Sequence, residues 1–226
     1  HDAEVFMSRS WTSTETIARL PDVPEYDHIV VGAGLSGLML TRALIVTAPS
    51  AGRPRVLLAD PRPADDGPVT FAFWATGAGP LDRWTIGEWD SLMIVGHHGQ
   101  ARTVDLAGAV YRAVDWGHGR TELLDQVIAD PRVTMVPAPV GSVRDGLAEA
   151  MVEVGGRWTT SRWVYDSRPP GWRRPRRTGL ALTQAFHGQW VRTDRDIVPT
   201  GAATLMDFSA DDGPDLGFTY VLPIST

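Results

Sequence analysis

Tyr26 to Ala43 reads YDHIVVGAGLSGLMLTRA, and this stretch decides the fold. A short β-branched strand, His28–Val31, enters Gly32-Ala33-Gly34-Leu35-Ser36-Gly37, and an apolar helix follows. A second strand, Arg55–Ala59, ends on Asp60, twenty-three positions past Gly37. Strand, glycine turn, helix, strand and terminal acid together make a dinucleotide-binding layout. Gly32 permits the tight turn, Gly34 lets the backbone approach a pyrophosphate, and Gly37 lets the helix pack closely on the strand. The helix N-terminus offers N–H groups and a positive dipole end to phosphates. Asp60 sits where a carboxylate accepts hydrogen bonds from ribose hydroxyls. It favours an unphosphorylated ribose, as in FAD or NAD, and the motif does not choose between them. Two blander readings compete. One is a glycine-rich turn that binds nothing. The other is a membrane span over residues 28–46, against which stand the three glycines, Thr41, Arg42 and the following strand.

The 226 residues can bury a sizeable core, and 43% hydrophobic content suits a soluble globular chain. A net charge of −6 argues against nucleic acid as a partner. The absence of cysteine rules out disulfides, thiolate catalysis and cysteine metal sites. Residues 1–25 are read as a polar leader without a signal peptide, and the expected location is cytoplasmic. No G-x-S-x-G, Walker A or zinc signature appears. His97-His98 between glycines is read as an exposed hairpin turn rather than a metal site, so no metal is expected.

Beyond the first βαβ unit, residues 61–68 read as a surface loop and Val69–Trp74 as a strand. Residues 75–90 read as loop with scattered Trp. Asp90–Val95 and Ala101–Val104 suggest a hairpin. Asp105–Asp115 suggests a short helix, and Arg120–Ala129 a firmer one by its apolar spacing. Pro131–Val136, Met151–Val154 and Trp163–Tyr165 read as strands. Ala181–Val191, Ala203–Phe208 and Gly217–Pro223 read as strands of an antiparallel sheet. One nucleotide-binding unit followed by mixed strands differs from the serial βα units of a plain dehydrogenase. The fold class expected is α/β: a Rossmann-type FAD-binding domain interrupted by a mixed or antiparallel substrate-binding sheet. Residues 26–226 would hold that domain and part of the sheet.

Several segments in order (GAGLSG, RVLLADPRP, FAFW, RWVYDSRPP, FHGQWVRTD, ATLMDFS and GFTYVLPIS) give a chain that resembles the bacterial lycopene cyclases. The resemblance runs from about Tyr26 to Thr226. It departs at Phe71, where the family's tWxFW pattern has Trp. It implies a flavoprotein monooxygenase-like fold, FAD acting in its reduced form, NAD(P)H as reductant, and lycopene or a related carotenoid as substrate. The implied reaction is an isomerisation, an intramolecular lyase step: an acid protonates the terminal double bond, a neighbouring double bond attacks the cation, and proton loss leaves the ring. The family's acidic motif and late glycine-rich segment would follow Thr226, so the chain is expected to be the N-terminal, truncated portion of such an enzyme. The early motifs are shared with redox flavoproteins such as monooxygenases and prenyl reductases. A truncated, inactive nucleotide-binding fragment is the remaining alternative.

Candidate chemistry follows. Asp207 matches a position where the family repeats Asp, and its neighbours Met206 and Phe208 predict a desolvated carboxyl with a raised pKa, suited to acid catalysis. Arg83 and Arg168 are candidates to pair with FAD phosphates or a carboxylate. Asp166 ends a strand where flavoproteins bring backbone to the cofactor. Among nine Trp, Trp74 and Trp190, with Phe73, are candidates to line a polyene slot and steady a cation. The basic loop 173–177 is a solvated face or a peripheral membrane contact.

Overall fold

The computed structural model describes residues 25–47, 54–61, 70–146, 149–168, 185–195, 198, 201–209 and 216–224. The elements in chain order are β1 (Glu25–Val31), α1 (Leu35–Thr47), β2 (Val56–Ala59), β3 (Thr70–Ala75), a 3-10 turn at Asp82–Trp84, β4 (Thr85–Trp89), β5 (Ser91–Val95), β6 (Ala101–Asp105) and β7 (Val110–Asp115). Then come α2 (Trp116–Ile128), β8 (Val133–Val136), β9 (Val140–Arg144), β10 (Ala150–Val154), β11 (Arg157–Asp166), β12 (Ala203–Asp207) and β13 (Thr219–Val221). The chain divides into two compact units, residues 1–65 with 120–169, and residues 66–119 with 170–226.

The first unit holds a six-stranded sheet in the order β8-β2-β1-β11-β10-β9. Its β8, β2, β1 and β11 run parallel, and β10 and β9 are antiparallel. The chain leaves β1 for β2 on one side and returns to β11 on the other. That reversal is the switch point beside which open α/β sheets bind ligands, at the carboxyl ends of their strands. β1 is central and reads as an unbroken apolar run from Ile29 to Val31, because both of its faces are covered. Ile29, Val31, Leu57, Ala59, Val136, Val152 and Val154 form one core cluster. This is a Rossmann-type α/β fold, interrupted in sequence by the second unit.

The second unit carries a three-stranded sheet, β3-β7-β4, and a four-stranded one, β13-β12-β5-β6. Trp89, Leu92, Ala113 and Ala203 are its buried cluster. Arg112 is buried on β7 between two carboxylates, bonding Glu88 at 2.6 Å and Asp82.

The structure corrects several expectations. Residues 105–115 are not a helix: Ala107 and Gly108 turn with positive φ, and Val110–Asp115 is a strand between β3 and β4. Residues 75–90 contain the 3-10 turn and β4, where Trp84 and Trp89 are buried rather than scattered over a loop. The helix expected from Arg120 starts at Trp116, because Asp115 caps it by accepting the His118 N–H at 3.0 Å. Gly119 is tolerated in that first turn because the Trp84 ring occupies the space of a side chain. The last sheet is mixed, since β12 pairs parallel with β5. Residues 185–191 form no strand, and 181–184, the leader to residue 24, the loop 62–68 and the basic loop 173–177 lie outside the described residues.

His28 on β1 is half-buried beside Tyr165, and its Nδ1 is buried with no hydrogen-bond partner among the described residues. Burial lowers its pKa from 6.5, the Asp27 charge opposing and the Arg162 charge reinforcing the shift. The folded chain therefore holds His28 neutral more firmly than the unfolded chain does. Its stability is present above the unfolded value of 6.5 and is lost as pH falls toward the folded value. We expect urea midpoints to drop between about pH 7.5 and about pH 5.5, and His28→Phe to flatten that drop. An unchanged pH slope in the variant would refute the assignment.

Candidate functional site

At the carboxyl end of β1 four residues from three elements hold the glycine turn. The Gly32 N–H donates to Ala59 O at the end of β2, at 2.8 Å. The Ala33 N–H donates to Asp60 Oδ2 at 2.6 Å. Arg120 Nε, on α2, donates to Ala33 O at 3.0 Å. Ser167, just past β11, donates both its N–H (3.0 Å) and its hydroxyl (2.6 Å) to Val31 O. Gly32 has φ +97°, a conformation glycine adopts without strain.

The three glycines do different things. A side chain at Gly37 would overlap the Gly32 carbonyl and touch Val30, so its absence is what lets α1 start directly over β1. A side chain at Gly32 would overlap the Ser167 hydroxyl. A side chain at Gly34 would meet nothing within 4 Å. Among the described residues nothing needs glycine there, and the backbone is left open to a group approaching the turn from outside. Beyond Gly34, α1 opens with N–H groups that have no intrahelical acceptor, and its first turn carries no acidic residue. Open backbone, a positive helix end and a carboxylate at the tip of β2 fit the diphosphate and ribose of a dinucleotide.

Asp166 ends β11 opposite Val31. It takes two bonds from the Arg168 side chain, Nε at 2.9 Å and Nη2 at 2.7 Å. The Arg168 bonds hold its carboxyl below the usual carboxylate range, against the opposing effect of desolvation. Arg168 Nη1 also donates to the Val140 and Gly141 carbonyls of β9. Arg168 thus pairs with a carboxylate of its own segment.

Gly32, Gly34, Gly37, Asp60 and Asp166 come together at one edge of the first unit. The other candidates belong to the second. Arg83 lies 4.7 Å over the Trp84 ring. Trp74 is 55% exposed and packs on Tyr111 at 4.9 Å, with Trp89 beyond. Burial and then the neighbouring Tyr220 raise the Tyr111 pKa. Phe73 alternates to the opposite face, in register with Arg112, so Phe73 and Trp74 do not line one surface. Trp190 is exposed in the strandless segment 185–195. Asp207 ends β12, and the expected desolvated carboxyl is overturned: side-chain and backbone hydrogen bonds from Ser209, the latter at 2.8 Å, lower its pKa and outweigh desolvation. His97 and His98 are exposed at the β5–β6 turn. Among the described residues no group of three or more His, Asp or Glu is placed to hold a metal.

Sequence reasoning missed Arg120 and Ser167. Arg120 follows no motif. Ser167 lies inside the quoted YDSR segment, but only the strand's end position shows which way its hydroxyl turns.

A family model described as "Lycopene cyclase protein" matches residues 27–226. No curated protein matches the chain. Among solved structures, similarity extends to the p-nitrophenol 4-monooxygenase PnpA of Pseudomonas putida DLL-E4 (17% identity, 64% of this chain and 41% of that one, TM-score 0.49). It extends also to a geranylgeranyl bacteriochlorophyll reductase-like protein of Thermoplasma acidophilum (16%, 64% and 39%, 0.46). CtdE, solved in complex with FAD, is a third (13%, 63% and 38%, 0.44). The chain spans about two fifths of the length of these structures.

Gly37→Ala is expected to cost about 3 kcal/mol of stability, since backbone must move to admit the methyl group. Gly34→Ala should melt within about 0.5–1 kcal/mol of the parent yet weaken binding of ADP. Thermal melts and calorimetric titrations separate the two, and a Gly34→Ala chain with undiminished ADP affinity would refute the site.

Proposed function

This chain belongs to the lycopene cyclase family, and from that premise we propose that it binds FAD and takes part in cyclising an acyclic carotenoid end group without net redox change. The family match over residues 27–226 carries the reading. The open backbone at Gly34 and the oriented Asp60 support a dinucleotide cofactor in the first unit. The glycine turn and the start of α1 would hold its diphosphate, and Asp60 its ribose. Reduced flavin, supplied with electrons by NAD(P)H, would contribute a reduced ring that the isomerisation does not consume.

In the chemistry proposed, a proton adds to the terminal carbon–carbon double bond. The neighbouring double bond attacks the resulting cation and closes the ring, and loss of a proton restores neutrality. Atoms and electrons balance without an oxidant. Trp74, exposed and packed on Tyr111, offers an aromatic face that suits a rigid polyene and its cation. Asp207 is the candidate carboxylate for a proton transfer here, and the Ser209 hydrogen bonds that lower its pKa favour accepting a proton over donating one. An insoluble substrate would be met at a membrane surface. No helix among the described residues is long and apolar enough to cross one.

The test is incubation of the chain with FAD, NADPH and lycopene in liposomes, run in parallel with and without oxygen, with ring formation read by chromatography and NADPH by absorbance. Rings formed with only catalytic NADPH consumption are expected. Stoichiometric NADPH use or oxygen-dependent product would instead make it a redox flavoprotein. Asp207→Asn should lower turnover about a hundredfold with FAD affinity unchanged.

A further inference from the structure

The Val31 carbonyl is the last acceptor of β1 before the chain turns, and Ser167 supplies it with two hydrogen bonds. The N–H bond continues the β1–β11 ladder. The hydroxyl bond is not required by the sheet. Its oxygen fills the place that a side chain on Gly32 would take, while Ser167 Cβ would remain at an ordinary 3.8 Å from such an atom. On either side of it, Asp166 and Arg168 bind each other, and Arg168 reaches the β9 carbonyls. Ser167 is thereby presented to β1 from an anchored segment.

We infer that Ser167 is a positioning residue for the dinucleotide turn: its hydroxyl fixes the Val31 carbonyl and sets Gly32 in its left-handed conformation, so that the backbone from Ala33 onward is pre-shaped for phosphate. The inference rests on the dinucleotide reading of this site. A turn already in its binding shape is ordered at less cost when the ligand arrives.

ADP, which carries the diphosphate and ribose of a dinucleotide, is titrated calorimetrically into the chain and its Ser167→Ala, Gly32→Ala and doubly substituted forms. Amide exchange at residues 32–34 is measured without ligand. Ser167→Ala is expected to bind ADP about fivefold more weakly, with faster exchange in the turn and a melting temperature within about 4 °C of the parent. Gly32→Ala should bind more weakly still, through strain and overlap with the hydroxyl. In the double form the same Ser167 change should improve binding over Gly32→Ala alone, because the overlapping oxygen is gone. That reversal of sign separates positioning from ordinary stabilisation. Additive effects, or a melt lowered in step with the loss of turn protection, would overturn the inference, as would unchanged ADP affinity in Ser167→Ala. A parent chain that binds no ADP would overturn the dinucleotide reading and this inference with it.

Discussion

The first unit depends on how closely α1 can approach the end of β1. Gly37 meets the Gly32 carbonyl with no room for a carbon atom between them, and Val30 packs beneath. Thr41, one turn along, is fully buried and returns its hydroxyl to the Gly37 carbonyl at 2.8 Å. This contact seats the helix, and the seat directs the helix's N-terminal groups past Gly34. Arg132 secures the other end by donating to the Ile45 carbonyl while paired with Asp130. Helix, sheet centre and glycine turn are therefore one steric arrangement, and the polar contacts around the turn refine what the packing has placed.

In the second unit the sheet β3-β7-β4 separates two chemistries by alternation alone. Trp74, Tyr111 and Trp89 share one face. Phe73, Arg112 and Glu88 share the other. A buried guanidinium between two carboxylates is costly unless its donors are satisfied, and Asp82 and Glu88 satisfy them. Asp82 also accepts the Gly79 N–H at 2.8 Å, tying the chain ahead of β4 to the same cluster.

The first βαβ unit was legible because its rule is steric and local. Gly37 stands where backbone excludes a side chain and Gly32 where φ and the Ser167 hydroxyl do, and Asp60 follows a strand whose four residues are all buried. The β3-β7-β4 sheet was illegible for the opposite reason. Its β4 is short and contains Gly87, whose missing side chain makes room for the Trp89 ring, so the strand looks like loop until the ring is placed. The segment before β7 turns at Ala107, a non-glycine residue at φ 52°, which composition does not announce. The direction of the Asp207 pKa shift was misread because its neighbours in sequence are apolar, while the hydrogen bonds that lower it come from the residue two positions on.

The parallel pairing of β1 with β11 joins Ile29 to Val164. The ribosome must therefore deliver well over a hundred further residues before the central strand finds one of its two partners, which at cellular rates takes on the order of ten seconds. During that interval a β-branched apolar strand has an unpaired edge. Such long-range closure is slow to fold and prone to association with other chains. The yield of this protein is therefore expected to respond to chaperone supply and synthesis rate as well as to the stability of the finished sheet.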